Sequence, residues 1–247
     1  MIINNMSFKT VQDEERHCPF CVSSLLQQTR DKPLAVIALD LDGTLVEHMS
    51  VELHEKVNQT IKKKFPEALN RVFVSPYQLR CAMACHLNPE ALTNLRYLID
   101  TAKKTYDVGI LLISAWRHCA TLQQIREEIF KETQFGAEII GKTLPSVWKD
   151  DTPECHELKK QYKDDWDEQQ KILEEQCFKD SSRADQITTW FKMHNLKLNE
   201  TKFVIFDDYN DDLSRFPNFV HVRDRDLLSK DDVTQALKIL GITTSKG

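Results

Sequence analysis

Glycine and proline are scarce in this chain, 6 and 8 of 247 residues, and no repeat or low-complexity tract interrupts it. That leaves little room for a linker, and a chain of this length fits one α/β domain with a sizeable core. No stretch approaches the apolar length of a membrane span, and the opening Met-Ile-Ile-Asn-Asn-Met-Ser lacks the basic start and apolar core of a secretory signal. The expectation is a cytoplasmic protein, with export lacking a cleaved leader left open. A basic stripe is also missing, and the net charge of −5 is mild. This argues against an extensive nucleic-acid footprint, though a small end-processing site touches few phosphates. Nor is there a paired cysteine framework: the seven cysteines stand at 18, 21, 81, 85, 119, 155 and 177. Reduced thiols packed as small hydrophobes are expected. Cys18 and Cys21 copy a redox spacing without a preceding strand, and a zinc site would need Cys81, Cys85 or His86 to join them.

What is present begins with Ala35-Val-Ile-Ala-Leu-Asp40-Leu-Asp42-Gly43-Thr44-Leu45. An uninterrupted apolar run with β-branched residues suits a strand covered on both faces of a parallel sheet. Asp40 and Asp42 then emerge at its carboxyl end, where open α/β sheets place ligands. Two carboxylates there repel each other and lose solvation, a cost that a divalent cation offsets. The plainer alternative is a strand-ending turn, since Asp and Gly form turns readily. Two further runs weigh against it. Val108-Gly-Ile-Leu-Leu-Ile-Ser114-Ala-Trp-Arg117 ends a second apolar strand in a hydroxyl, followed by helix-spaced Leu122, Ile125 and Ile129. Lys202-Phe-Val-Ile-Phe-Asp207-Asp208 ends a third in carboxylates, oxygen ligands suited to Mg²⁺.

In this order, Asp-x-Asp-Gly-Thr, strand-Ser, a basic residue and strand-Asp-Asp, the chain resembles the haloacid-dehalogenase-like hydrolase superfamily from about residue 34 to about 240. The resemblance implies a Rossmann-like three-layer sandwich with a mostly parallel central sheet, and a Mg²⁺-dependent phosphatase working through an aspartyl-phosphate. It makes Asp40 the nucleophile and Asp42 the general acid and base. It gives Mg²⁺ the carboxylates of Asp40 and Asp207 and the backbone carbonyl of Asp42, with Asp208 acting through water. Ser114 and Arg183 become the phosphate ligands. Arg183 is preferred to Lys179 because it opens an amphipathic helix, Ser181-Ser-Arg183-Ala-Asp-Gln-Ile187-Thr-Thr-Trp190. That segment resembles the Arg-Gly-x-Glu-Ile-x-x-Trp-Leu pattern of superfamily members found near nucleic-acid repair enzymes, with Ala184 in place of glycine. Arg117 is the candidate second guanidinium, preferred to Trp116 for a functional part. Asp211 and Asp212 read as helix-terminal or loop carboxylates rather than metal ligands.

Two stretches exceed what a strand-helix-strand step needs. Residues 46–88 are expected to form a flap or small cap, with a helix over Val51 to Phe65 and a short strand at Arg71 to Ser75; a helix from Pro89 to Ala102 follows, opened by Asn88. After a strand at Ala137 to Ile140, residues 149–180 hold 11 Asp or Glu against 6 Lys and are expected to form an acidic helical insertion. Residues 1–30 are an N-terminal extension to the single domain. Candidate substrates are a phosphotyrosine protein, reached through a shallow site, and a nucleotide or nucleic-acid end; a small phosphorylated metabolite is third. A non-catalytic binding module stands last, because Asp40 and Asp42 are intact. The oligomeric state is not fixed by these observations.

Overall fold

Apolar residues on both faces make the first strand, β1 (Leu34–Leu39), the centre of the sheet: Ala35 through Leu39 are fully buried. The computed structural model describes residues 31–67, 74–133, 135–143, 182–210, 212–223 and 227–243. Cys18, Cys21, Lys179, Asp211, the N-terminal extension and the acidic insertion therefore lie outside the described residues, as do positions 71–73 of the expected short strand.

Five parallel strands, with β2 (Asp107–Leu112), β3 (Ile139–Lys142), β4 (Lys202–Asp207) and β5 (Phe219–His221), run in the order β3-β2-β1-β4-β5. Strand alternation sends Ala35, Ile37 and Leu39 into one apolar cluster and Val36 and Ala38 into the other. The first is covered by α1 (Val51–Lys64), α2 (Pro76–Met83), α3 (Pro89–Ala102) and α5 (Lys230–Ile239), the second by α4 (Arg183–Met193) through Ile187, Trp190 and Phe191. This is the expected three-layer α/β sandwich. Burying each of these large side chains contributes roughly 1.5–3 kcal/mol. Sliding β1 by one residue would exchange its two faces, so the register is fixed by packing on both sides.

That register brings the chemistry together. Leu39 stands opposite Leu112 and Phe206, so Asp40, Ile113 and Asp207 follow abreast at the carboxyl edge of the sheet. Backbone bonds from Asp40 N–H to Phe206 O at 2.9 Å and from Ile113 N–H to Leu39 O at 3.1 Å carry the alignment past the strand ends.

Helix starts follow their caps. Ser50 Oγ accepts from Leu53 N–H, and Asn88 Oδ1 accepts from Glu90 and Ala91 N–H with Pro89 in the first turn. Ser75 is not a strand end: with Pro76 and Gln78 it forms a capping box that starts α2, an element the strand expectation concealed. The expected strand at Ala137 to Ile140 is also corrected. Gly136–Glu138 is a 3₁₀ turn, and β3 begins at Ile139. The helix spacing of Leu122, Ile125 and Ile129 yields a short α turn, Leu122–Gln124, that runs into a π turn, Ile125–Ile129.

Candidate active site

Three carboxylates meet where β1 and β4 end. Asp40 is 2% exposed and Asp207 is fully buried, because each directly follows buried strand residues. One oxygen from each of Asp40, Asp207 and Asp208 lies within 4.8 Å of the others. Asp207 Oδ1 accepts the Tyr209 N–H at 2.9 Å, and its Oδ2 receives a short hydrogen bond from Arg183 Nη1. The same Arg183 nitrogen stands 3.6 Å from Asp40 Oδ1. Asp208 Oδ2 meets His48 Nε2 at 2.8 Å, and its carbonyl accepts from His221 Nε2 at 2.9 Å.

Arg183 reaches the cluster because it is the first residue of α4, capped by Ser182 Oγ accepting from Asp185 N–H at 3.2 Å. Asp212 accepts from Ala184 N–H at 3.3 and 3.4 Å, so its charge sits at the positive end of α4 rather than of its own turn. Ser114 is buried at the end of β2, and its Oγ accepts weakly from Trp116 N–H at 3.4 Å.

A family model, the HAD domain in Swiss Army Knife RNA repair proteins, matches residues 36–233. The chain belongs to this family. It is therefore a haloacid-dehalogenase-like, phosphatase-type hydrolase of phosphoric monoesters. No curated protein and no solved structure matches it.

Electrostatics in the HAD domain favour a cation at the cluster. Burial pushes the Asp40 carboxyl well above its ordinary range, and the Asp207 charge adds to this, while Arg183 opposes it. Asp207 is raised by burial in the same way, against the pull of Arg183 and of the Tyr209 N–H. Burial works against the charge of Arg183, but Asp40 and Asp207 more than offset it and raise its pKa. Among the described residues Arg183 is the guanidinium beside Asp40 and Asp207, while Asp208 meets the His48 imidazole, so the carboxylates outnumber the fixed positive charge. The carboxylate oxygens of Asp40, Asp207 and Asp208 suit a hard cation such as Mg²⁺.

The turn that presents Asp42 explains Gly43. Its φ of +76° favours glycine, and a Cβ there would lie 2.4 Å from Asp208 Cγ and Oδ2 and 2.8 Å from His48 Nε2. Gly43→Ala is expected to displace Asp208 and weaken Mg²⁺ binding about 10–100-fold. Isothermal titration calorimetry checks this, and unchanged affinity would remove Asp208 from the ligand set.

Sequence reasoning and geometry part company at Trp116 and Arg117. Arg117 is buried and turned inward, with Nη1 donating to Ile113 O at 2.5 Å and Nη2 to Gln186 Oε1 at 2.9 Å. It braces the serine loop against α4 instead of offering a second guanidinium to phosphate. Trp116 does reach the site, donating from Nε1 to Asp42 at 3.0 and 3.1 Å. Arg80 joins the site from α2, with its Nη1 3.5 Å from Asp42 Oδ1, and no motif in the sequence marks it. Lys142, fully buried, donates to the carbonyls of Arg117 at 2.9 Å and Ala120 at 2.7 Å, tying the loop to β3.

Among the described residues no helix is long and apolar enough to cross a membrane.

Proposed function

We propose that this HAD domain removes the terminal phosphate from a nucleic-acid end, RNA foremost, with Asp40 as nucleophile. The observation that carries the reading is the buried Asp40 carboxylate set between Arg183 and the Asp207 and Asp208 oxygens, with Asp42 two residues further on.

In the first step an Asp40 oxygen forms a bond to phosphorus as the ester P–O bond breaks. Asp42 gives its proton to the departing oxygen. In the second, a water oxygen bonds to phosphorus and passes a proton to Asp42. The acyl-phosphate P–O bond then breaks, restoring the Asp40 carboxylate and releasing inorganic phosphate. Arg183 and the Ser114 hydroxyl take the equatorial oxygens, where charge must be held in the transition state. Mg²⁺, bound by the carboxylates of Asp40 and Asp207 and the Asp42 carbonyl with Asp208 assisting, would offset the repulsion between nucleophile and phosphate.

The substrate class rests on two supports. The family takes its description from RNA repair proteins. Tyr209, 62% exposed one residue beyond the acidic cluster, offers a ring on which an unpaired base can stack. These favour a nucleic-acid end over the phosphotyrosine reading. The −5 net charge fits a substrate gripped at few phosphates.

The test is Mg²⁺-dependent phosphate release from a 3′-phosphorylated RNA oligonucleotide, its 5′-phosphorylated counterpart, a phosphotyrosine peptide, a mononucleotide and a sugar phosphate. One of the two oligonucleotides is expected to exceed the peptide at least about tenfold in kcat/KM. With one or two phosphate contacts, log(kcat/KM) should fall with log salt at a slope of only about −1. Preference for the peptide would overturn the substrate class; no release from any of the five, with Mg²⁺ bound, would overturn catalysis.

A further inference from the structure

A buried indole N–H must find an acceptor, and in most cores a backbone carbonyl serves. Trp116 instead gives its Nε1–H to the Asp42 carboxylate, sharing it between both oxygens at 3.0 and 3.1 Å. The tryptophan has no freedom to do otherwise. It is 1% exposed, and its ring is stacked on Phe130 with centroids 5.8 Å apart and planes 12° apart. Phe130 in turn packs on Phe135 at 5.0 Å.

A second neighbour of the indole comes from a different part of the chain. The guanidinium carbon of Arg80 lies 5.0 Å from the Trp116 ring centroid, within cation–π range. Its Nη1 stands 3.5 Å from Asp42 Oδ1 and also meets Met83 Sδ at 3.2 Å. Arg80 belongs to α2, which a hydrogen bond from Tyr77 to Glu128 ties to the helical turns after the serine loop. Two segments distant in sequence thus converge on the Asp42 carboxylate.

Asp42 needs such support. Its side chain is 28% exposed, in contrast to the enclosed Asp40, and the terminal torsion of an aspartate is broad. A proton donor must come within about 2.6–3.2 Å of the oxygen it serves, so a carboxylate free to rotate spends much of its time out of reach. The shared indole N–H and the guanidinium hold it, and a carboxylate has enough lone-pair sites to face the substrate as well.

We propose that Trp116 and Arg80 are positioning residues that aim the Asp42 carboxylate at the leaving oxygen, Arg80 being supplied by the 46–88 insertion. The inference rests on the reading of Asp42 as general acid and base. It does not depend on the identity of the physiological substrate.

Leaving-group dependence separates positioning from simple structural support. The value of kcat/KM reports the steps up to aspartyl-phosphate formation. An alkyl phosphate then needs a proton on its departing oxygen, whereas p-nitrophenolate leaves without one. Full-length wild type, Trp116→Phe, Arg80→Gln, Arg80→Lys and Asp42→Asn are compared on glycerol phosphate, a 3′-phosphorylated oligonucleotide and p-nitrophenyl phosphate, with circular dichroism and Mg²⁺ affinity as controls. Trp116→Phe keeps an aromatic ring beside Phe130 and removes the N–H together with some core volume, a loss that circular dichroism and Mg²⁺ affinity control for. It is expected to lower kcat/KM on the alkyl phosphates about 10–100-fold and on p-nitrophenyl phosphate less than about threefold. Arg80→Gln is expected to show the same split more weakly, and Arg80→Lys to recover part of it by keeping the charge near the ring.

Equal losses on both leaving-group classes, or none, in folded Trp116→Phe and Arg80→Gln would overturn the inference if Asp42→Asn shows the split. Should Trp116→Phe not fold, the two Arg80 variants decide alone. If Asp42→Asn shows no split, the acid–base reading itself falls and takes the inference with it. No turnover of any probe by wild type overturns both.

Discussion

Asp40→Asn is expected to lower Mg²⁺-dependent phosphate release by at least about 10⁴-fold, a loss of about 5.4 kcal/mol of transition-state stabilisation. A carboxamide is a poor nucleophile and forms no acyl-phosphate, so the reaction loses its two-step route. The same substitution should stabilise the metal-free fold. Burial raises the folded-state pKa of Asp40 above its unfolded value, with Asp207 adding to the effect. Its contribution to stability is therefore full below the ordinary carboxylate range and is lost as pH rises through the raised value. At pH 7 in EDTA the asparagine variant should gain about 1–3 kcal/mol by removing a buried, repelled charge. For a chain of this size that raises Tm by roughly 2–4 °C per kcal/mol. The advantage should vanish near pH 4 and shrink when Mg²⁺ stabilises the wild type. Differential scanning fluorimetry under these three conditions checks this. A variant less stable than wild type in EDTA at pH 7 would show that Asp40 is not under charge strain.

Arg183→Ala carries the second large effect. Its guanidinium is hydrogen-bonded to Asp207 and lies 3.6 Å from Asp40, where it both restrains the carboxylates and can hold phosphate oxygens. Losing that transition-state contact is expected to cost about 10³-fold in kcat. Without metal, Asp207 and Asp40 also lose their cation. The fold should weaken by about 1–3 kcal/mol, allowing for the partial exposure of the guanidinium. Arg183→Lys keeps a charge but not the planar fork, and should recover stability more fully than rate. In an Asp40→Asn background the stability cost of Arg183→Ala should shrink, since the two groups interact directly. Steady-state kinetics and a double-mutant cycle in EDTA provide the test. A kcat within tenfold of wild type in Arg183→Ala would remove Arg183 from the phosphate site.

How much of this is legible in the sequence depends on the kind of signal. The apolar runs ending at Leu39, Ile113 and Phe206 expose the three central strands, because burial on both faces leaves no polar interruption. Once they are parallel and in register, Asp40, Ser114 and Asp207 fall into place with little further information. The short outer strand Phe219–His221 has too little pattern to be read. The start of α2 was readable in principle, since Ser75-Pro76-x-Gln78 carries both a capping box and a first-turn proline. The exchange of parts between Trp116 and Arg117 was not. They are neighbours in a 3₁₀ turn, Ala115–His118, where one residue changes the direction of a side chain by about a third of a turn. Arg80 gives no local signal, because its meaning arises only when α2 folds against the serine loop.

The two ends of the long intervening segment share a mooring. Lys142, just before the sheet is left at Thr143, holds the Arg117 carbonyl, while Gln186, in the first turns after Ser182, holds the Arg117 guanidinium. Departure and return are thereby anchored to one residue of the framework that also carries Ser114 and Arg183. The consequence is a fixed spacing: the edge of β3 and the first turns of α4 are held to a single residue, so Ser114 and Arg183 keep their places relative to each other through contacts among the described residues.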